Sequence, residues 1–380
     1  MSTEGLRIDH RGVRQAIEYY FDNDLTDGLP VVPATDTAVA EFLEQVDRDP
    51  DEIVATIPHL DRHCNVRLAA VNAVMAGCRA EYFPVVLAAL DAMHRDTKAR
   101  GSTRFASGLW QSTTGSSPLM IINGPARTAL GFNAKGNVFG PGFRANATVG
   151  RAIRLIALNA FGLQPHVLDQ ATQAHPGKYT CCIAENEEES PWGPLSEDAG
   201  YPAGSSTLAF MMARSTLHIE ARSATRPEHL LSDLANSIAR TGGLYSETAA
   251  CCVVLGPEHA ALCHAGGFTK ADVKAFLAEH AVCTRAALEQ AGKTGLSRDM
   301  HWLVPADHPD AVPGEEPSFD SDGLHHVLPS PDEVVVVVAG ASNAGVSTVI
   351  DLMGSTSARA AQGGGRVPAM AEIRLGAVPG

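Results

Sequence analysis

The chain has 380 residues, 45% hydrophobic and 19% charged, which is the composition of a folded globular protein rather than a disordered one. Its length suits one large or two ordinary domains, and no apolar run approaches the roughly 20 residues of a membrane span. The formal net charge of -14 disfavours nucleic acid and anionic membrane surfaces as partners, because both require a basic face. The polar start, MSTEGLRIDHRG, has no signal-peptide pattern, so we expect a cytoplasmic protein.

The first half of the chain predicts an N-terminal helical arm, residues 1–26, followed by an α/β domain, residues 27–200. The predicted elements are, in chain order, a helix at 10–23, the strand GLPVVPAT, the helix DTAVAEFLEQV, the strand EIVATI, two helices broken near 78–84, strands at 105–111 and 119–122, and a helix from about residue 147.

The loop-like stretch SEDAGYPAGSS, near residues 195–206, predicts a boundary before a second α/β domain, residues 206–356. The elements predicted after it are a strand at 207–219, a helix at 227–239, a strand at 250–255, a helix at 269–290 and a strand at 334–339. Strands that alternate with helices predict two α/β domains with mostly parallel or mixed sheets. Residues 357–380 are Gly-rich and are predicted to be a flexible tail, and no internal repeat is recognised.

The segment TQAHPGKYTCCIAENEEESPW combines a histidine, a lysine, two thiols and four carboxylates beside an apolar strand-like run, which is typical of an active site. It offers Cys182 as a nucleophile or redox thiol, Glu185 or His175 as acid and base, and Lys178 as a catalytic cation. In a strand, Lys178 and Cys182 lie about 13 Å apart, so the group that activates the thiol must come from elsewhere, whereas in a helix the two are neighbours. The alternative is a buried strand followed by a solvated acidic turn.

The segment GPGFRANATVGRAIR is typical of a glycine-rich turn that leads into a helix. Arg144 and Arg151 could hold a carboxylate or phosphate there, with Asn146 and Asn137 as further substrate-binding residues. The alternative is a tight turn whose arginines pair with the surplus of acids.

Two other loops are candidates for substrate binding. Thr113 and Thr114 lie in the hydroxyl-rich loop STTGSSP, although an ordinary turn is an equally simple interpretation. The later stretch VVVVVAGASNAGVS resembles a strand that enters a glycine-rich turn and could bind a nucleotide phosphate, but it matches no complete phosphate-binding motif.

The remaining cysteines and histidines give no metal-binding pattern. Without a secretion signal, the eight cysteines are expected to be mostly reduced thiols. One late group matches no zinc spacing and is predicted to be core packing: Cys251, Cys252, His259, Cys263 and His264. A metal enzyme that uses His175, Glu185 and a cysteine is a further hypothesis, and no cofactor is indicated.

Six segments carry a family resemblance: DGLPVVPAT, NAVMAGCRAEYFPVVLAAL, IINGP, NVFGPGFRANATVGRAIRL, HPGKYTCCIAENEEESPW and LGPEHAALCHAGGFTKADVKAFL. Together they resemble a largely uncharacterised bacterial family associated with a thioredoxin-like protein that bears a selenocysteine-Gly-Ser-Cys motif. The resemblance spans about residues 27–340. It implies that Cys182 is the more regular thiol and that Cys181 replaces a bulky apolar residue, while the region around Gly354 departs from the pattern. It also implies a redox partner or a heteromeric complex.

These observations lead to two functional hypotheses. The first is a cysteine-dependent enzyme that acts on a small anionic organic substrate, by lyase, hydrolase or thiol redox chemistry. The second is a non-catalytic subunit or scaffold that positions a thioredoxin-like partner. In either case we expect a homo- or hetero-oligomer.

Overall fold

The computed structural model of the chain describes residues 10–99, 111, 113–241, 249–298, 302–353 and 368–376. The helices are α1 His10–Asp22, α2 Asp36–Leu43, α3 Val66–Ala76, α4 Phe83–Ala99, α5 Ala126–Ala129, α6 Arg144–Asn159, α7 Leu195–Asp198, α8 Pro227–Thr241, α9 Pro257–Ala265, α10 Lys270–His280 and α11 Arg285–Gln290. The strands are β1 Ile53–Ile57, β2 Arg62–Asn65, β3 Ser117–Asn123, β4 Cys182–Ala184, β5 Thr207–Glu220, β6 Ala249–Leu255, β7 Val282–Thr284, β8 Gly295–Leu296, β9 Leu303–Val304, β10 Leu324–His326, β11 Val334–Val338, β12 Val346–Met353 and β13 Ala369–Glu372. No helix within these ranges is long and apolar enough to cross a membrane.

Seven strands form one mixed sheet, which confirms the predicted α/β class. Their order is β11, β6, β12, β5, β3, β4, with β13 also paired to β5. The pairs β3/β4 and β6/β11 are parallel, whereas β5 is antiparallel to β3, β12 and β13, and β12 is antiparallel to β6. The apolar runs that form β5, β6 and β11 are the ones the sequence predicts as strands.

Side chains that alternate along these strands enter three separate apolar cores, as the two-residue period of a strand requires. One core lies on a single face of the sheet, which we call the inner face. It consists mainly of strand side chains, such as Ile121, Met211, Cys252, Val337 and Ile350. The opposite faces pack against α3, α4 and α6 in one half of the chain and against α8 and α10 in the other. The sheet is therefore covered by helices on its outside and filled by side chains on its inside.

The two edge strands of the sheet, β4 and β11, meet at their carboxyl ends. The amide of Asn186 donates to the carbonyl of Val338 at 2.7 Å, and the amide of Gly340 donates to the carbonyl of Ala134 at 2.9 Å. Because these contacts join strands at opposite ends of the sheet order, the sheet curls until its edges touch.

The chain contains the same arrangement twice. The order helix, strand, helix, strand, strand occurs as α4, β3, α6, β4, β5 and again as α8, β6, α10, β11, β12. Each half has a parallel pair flanked by an antiparallel strand, and β5 and β12 join the halves. Each first strand ends in Gly-Pro, at Gly124 and Gly256, a signal too short to reveal the repeat in the sequence alone. Strands from both predicted domains share this one sheet, and the division into domains stays a prediction.

Several predicted elements differ from the structure. GLPVVPAT forms no strand, because its prolines lack the amides that a strand ladder needs. The predicted helix 269–290 is interrupted by β7, whose β-branched residues pair with β10. The predicted strand KYTCCIA contributes only the short β4, preceded by a 3₁₀ turn at Pro176–Lys178. The predicted tail contains β13. The predicted strand 105–111 lies outside the described residues except at Gln111, which is helical.

The substitution Gly256→Ala tests the close packing at the end of β6. An added Cβ would lie 2.4 Å from the Val346 carbonyl oxygen, while the φ of -62° at this position suits alanine, so the effect is steric. We expect the free energy of unfolding, measured by urea denaturation, to fall by about 2 kcal/mol or more. In the control Gly12→Ala, in α1, a Cβ meets nothing within 4 Å, so stability should stay equal or rise by about 0.5–1 kcal/mol. Equal unfolding energies for the two variants would contradict this packing.

Candidate functional site

Cys182 does not open into a cavity. Its side chain is 4% exposed and lies in the core between β4 and the helices of the first half. Burial raises the pKa of this thiol, with smaller contributions from Cys181 and Cys78. A thiol that is sealed and holds its proton is a poor nucleophile, so the geometry gives no support to Cys182 as the reactive group.

The two arginines predicted to clamp an anion are occupied by the protein itself. Arg144 donates to the carbonyls of Gly77 and Cys78 at 2.9 and 3.2 Å, and so holds the end of α3. Arg151 forms a bidentate pair with Asp27 at 2.7 and 2.8 Å. These arginines therefore fasten the N-terminal segments to α6.

The predicted polar residues Asn146 and Asn137 also have internal partners. Asn146 is buried, accepts from the Asn133 amide at 2.8 Å and donates to the Cys182 carbonyl at 3.1 Å. Asn137 donates to the Pro141 carbonyl at 2.8 Å in a turn with a positive φ of 60°, and it lines the cavity described below. It is the one predicted site residue that the structure places at that cavity.

His175 and Lys178 lie at the opposite end of β3 from Glu185. His175 Nε2 is 3.0 Å from Ser117 Oγ, at the start of β3, whereas the Glu185 amide donates to the Ile122 carbonyl near its end. Five residues of strand separate these positions by about 16 Å. His175 and Glu185 therefore cannot act on one small substrate.

Lys178 Nζ is bound to Asp169 at 2.5 Å. Burial lowers the pKa of Lys178, although Asp169 opposes that shift. Thr113 lies in a neighbouring turn, where its carbonyl accepts from the Thr172 amide at 2.8 Å, and Thr114 follows it. This part of the chain is held by local contacts and shares no residue with the cavity.

Glu185 is fully buried on the inner side of the sheet. Its Oε2 accepts from Asn123 Nδ2 at 2.6 Å and from the Leu195 amide at 2.9 Å, and its Oε1 lies 3.8 Å from Lys270 Nζ. Burial raises the pKa of Glu185, and the Lys270 ammonium opposes that shift. The Oε1 atom and the side-chain oxygens of Asn123 and Thr207 are buried without a hydrogen-bond partner within the described chain.

The acidic residues that follow Glu185 anchor a neighbouring loop. Glu189 accepts from Ser342 Oγ at 2.8 Å, and Asn186 Nδ2 donates to the Gly340 carbonyl at 3.2 Å. These bonds from Ser342 and Asn186 hold the pKa of Glu189 below its usual range. The segment that looked like a catalytic site in the sequence instead fixes residues 339–345, which we call the glycine-rich loop.

A cavity of about 400 Å³ lies beside this loop, on the inner side of the second half of the sheet. Its walls are the turn 136–140, the glycine-rich loop and the residues His218, Val254 and Thr348. The volume falls within the range of small-molecule sites. Gly, Ala and Asn account for most residues of the two loops.

The glycine-rich loop presents unpaired backbone donors to the cavity. Among the residues that the structure describes, the amides of Ala341, Asn343 and Ala344 donate to no protein acceptor. Successive amides in a loop of small residues form a concave, positively polarised surface that suits an anion. The predicted strand that enters a glycine-rich turn, VVVVVAGASNAGVS, therefore leads to the cavity, whereas the cysteines do not line it.

Two imidazoles lie at this cavity, one facing it and one behind its wall. His218 Nδ1 is 3.0 Å from Thr348 Oγ1, and both residues line the cavity. His259 is buried and lies 2.7 Å from Ser347 Oγ, and burial lowers the pKa of this imidazole. A Cβ on Gly345 would lie 2.7 Å from His259 Nε2, so this loop position has room only for glycine.

The sequence reasoning missed His218 and Thr348. Neither residue belongs to a motif, and they are 130 positions apart in the chain. Their proximity follows from the antiparallel register of β5 and β12, in which His218 pairs with Thr348. The sequence feature that could have indicated them is the presence of polar residues within the otherwise apolar strands β5 and β12.

Comparison of the chain with protein-family models, with curated proteins and with solved structures found no match. The resemblance to the bacterial family stays a prediction.

Thiol labelling of the native protein tests the burial of the cysteines. Seven of the cysteines are buried and Cys283 is intermediate, and burial raises the pKa of Cys181 to about 12. We expect iodoacetamide at pH 7.5 to modify at most Cys283 in the folded chain, and every cysteine after denaturation. Rapid modification of Cys182, located by peptide mass spectrometry, would restore the thiol as a candidate nucleophile.

The substitution Glu185→Gln tests the cost of a buried carboxylate. Burial raises the folded-state pKa of Glu185 above its ordinary value of 4.5, so the native state holds this proton more tightly than the unfolded chain does. The stability that this group contributes is therefore full below about pH 4 and declines as the pH rises. Glutamine cannot lose a proton, so the unfolding free energy of the variant relative to the wild type should rise between pH 4 and 7.

Urea denaturation at pH 4, 5.5 and 7 measures this difference. The exposed residue Glu279 supplies the control Glu279→Gln, which makes the same change in formal charge. A relative stability of Glu185→Gln that stays flat or falls with pH would show that Lys270 compensates fully for burial of the carboxylate.

Proposed function

We propose that the protein is an enzyme that acts on a small anionic organic molecule, and that this molecule binds in the cavity between the turn 136–140 and the glycine-rich loop. The observation that carries the proposal is a space of about 400 Å³ lined by the glycine-rich loop, in which the amides of Ala341, Asn343 and Ala344 have no acceptor among the described residues. Amides that are free to donate beside a cavity of this size favour a ligand with acceptor atoms.

The charges around the cavity support an anion more than a cation. No Asp, Glu, Lys or Arg is among the residues that line it, so the backbone dipoles and His218 supply its polarity. The nearest acid of the loop anchor, Glu189, is already engaged by Ser342 and Asn186. The lining residues therefore offer donors, whereas Glu189 is absent from the lining and directs its oxygens to Ser342 and Asn186.

The proposal keeps the substrate class expected from the sequence but assigns no role to a cysteine. A reaction without redox chemistry fits better than thiol redox chemistry, because the lining residues of the cavity contain no sulfur atom. The free state of all eight cysteines supports the proposal of a reducing, cytoplasmic setting.

A cavity-filling variant tests the binding site. Ala344 lies on the wall and is partly exposed, so Ala344→Trp should occupy the space with little effect on the core. The control Ala203→Trp places the same side chain at an exposed position in a separate loop. We expect malonate and inorganic phosphate, measured by calorimetric titration, to bind the wild type and the control equally, and Ala344→Trp at least tenfold more weakly.

Two results would count against the proposal. The first is an absence of binding of either anion to the wild-type chain at millimolar concentration. The second is binding that Ala344→Trp leaves unchanged, which would place the anion elsewhere. A non-catalytic subunit for a thioredoxin-like partner gives the first of these results, so the same titration separates the two hypotheses.

A further inference from the structure

We infer that His218 is the residue that transfers a proton in this cavity and that Thr348 is its positioning residue. The inference rests on the proposed function and extends it to a reaction type. The substrate class is a small carboxylate whose reacting C–H bond lies next to a carbonyl group.

The register of the sheet directs both side chains to the cavity. His218 and Thr348 are directly opposite each other on the antiparallel strands β5 and β12, so they project from the same face. The distance of 3.0 Å between Nδ1 and Oγ1 is that of a hydrogen bond. Thr348 is 5% exposed, so its hydroxyl is held by its surroundings, whereas the imidazole is exposed at the cavity.

The other ring nitrogen of His218 is open to a ligand. Nε2 has no hydrogen-bond partner among the described residues, whereas Nδ1 is engaged by Thr348. A base must reach the proton that it removes and must be held in the correct tautomer by its second nitrogen. The hydrogen bond to Thr348 holds the ring in place, and the inference assigns the proton of the neutral ring to Nδ1.

Among the lining side chains that the structure describes, the imidazole of His218 is the one suited to proton transfer. The other lining side chains that the structure describes are apolar, amide or hydroxyl groups. His259 lies behind Ser347 and is bonded to it, so it does not face the ligand. The nearest carboxylate on the same strand, Glu220, pairs with Arg222 at 3.0 Å.

The proposed step conserves atoms and electrons and needs no further reactant. The neutral imidazole carries its proton on Nδ1, which donates to Thr348 Oγ1, and the Nε2 lone pair takes the proton from the substrate carbon. The electron pair of the broken C–H bond moves into the substrate and places negative charge on its carbonyl oxygen. The amides of the glycine-rich loop stabilise that oxygen, and the imidazolium returns its proton to the resulting enolate.

The tautomer of His218 provides the first test, because it can be measured without a substrate. Nitrogen-15 NMR of the full chain, labelled at histidine, distinguishes a proton on Nδ1 from one on Nε2, and His218→Gln assigns the signal. We expect the neutral ring to carry its proton on Nδ1 in the wild type. Thr348→Val should remove this preference, and Thr348→Ser should restore it. A wild-type ring protonated on Nε2 would overturn the inference, because the base would then face Thr348.

The affinity for malonate provides the second test. Because the imidazole lines the cavity, His218→Gln should weaken malonate binding severalfold without a loss of thermal stability. The control His264→Gln, at an exposed position in α9, should leave the affinity unchanged.

The outcomes separate the inference from the proposed function. If malonate and phosphate do not bind, the proposed function fails and the inference falls with it. If malonate binds and Ala344→Trp blocks it, but His218→Gln leaves the affinity unchanged, the proposed function stands and the assignment of His218 is wrong.

Discussion

The hydrogen bond from the Asn186 amide to the Val338 carbonyl is the contact on which the arrangement of this molecule depends. A strand at the edge of a sheet presents unpaired backbone groups, and a curled sheet can satisfy them by bringing its edges together. Here the junction lies at the carboxyl ends of β4 and β11. The loops that follow these strands are therefore placed face to face, and the cavity lies where they meet.

The two halves of the chain differ on the inner face of the sheet beside this junction. In the first half Asn123 pairs with Thr207, and Glu185 and Leu195 fill the space in front of them. In the second half Val254 pairs with Thr348, and the corresponding space is open. The filled interior leaves no room for a ligand, although Glu185 Oε1 and the side-chain oxygens of Asn123 and Thr207 have no hydrogen-bond partner within the described chain. The open half keeps unpaired donors, which is why we place ligand binding there.

The sequence predicted the strands well and the site poorly, for physical reasons. Continuous apolar runs such as Val334–Val338 identify buried strands directly, since only a strand covered on both faces needs them. Side-chain partners depend instead on register and on contacts between distant segments. Arg151 has the composition of an anion clamp, but its partner Asp27 lies 124 residues away, and no local pattern shows that pairing. The glycine-rich loop could be recognised from local sequence, because a run of small residues indicates an accessible backbone without knowledge of distant contacts.

The cysteines show why a dense cluster of reactive residue types is not by itself a site. Adjacent residues of a strand face opposite sides, so Cys181 and Cys182 enter different cores, and Cys251 and Cys252 do the same in the second half. At all these positions helices or other strands cover the sulfur, and its small, polarisable volume fills the space between larger aliphatic groups. A cysteine can react with a substrate only if its sulfur is accessible to that substrate. The accessible cavity at the junction of the edge strands is lined by backbone amides and the imidazole of His218, and no thiol is among its lining residues.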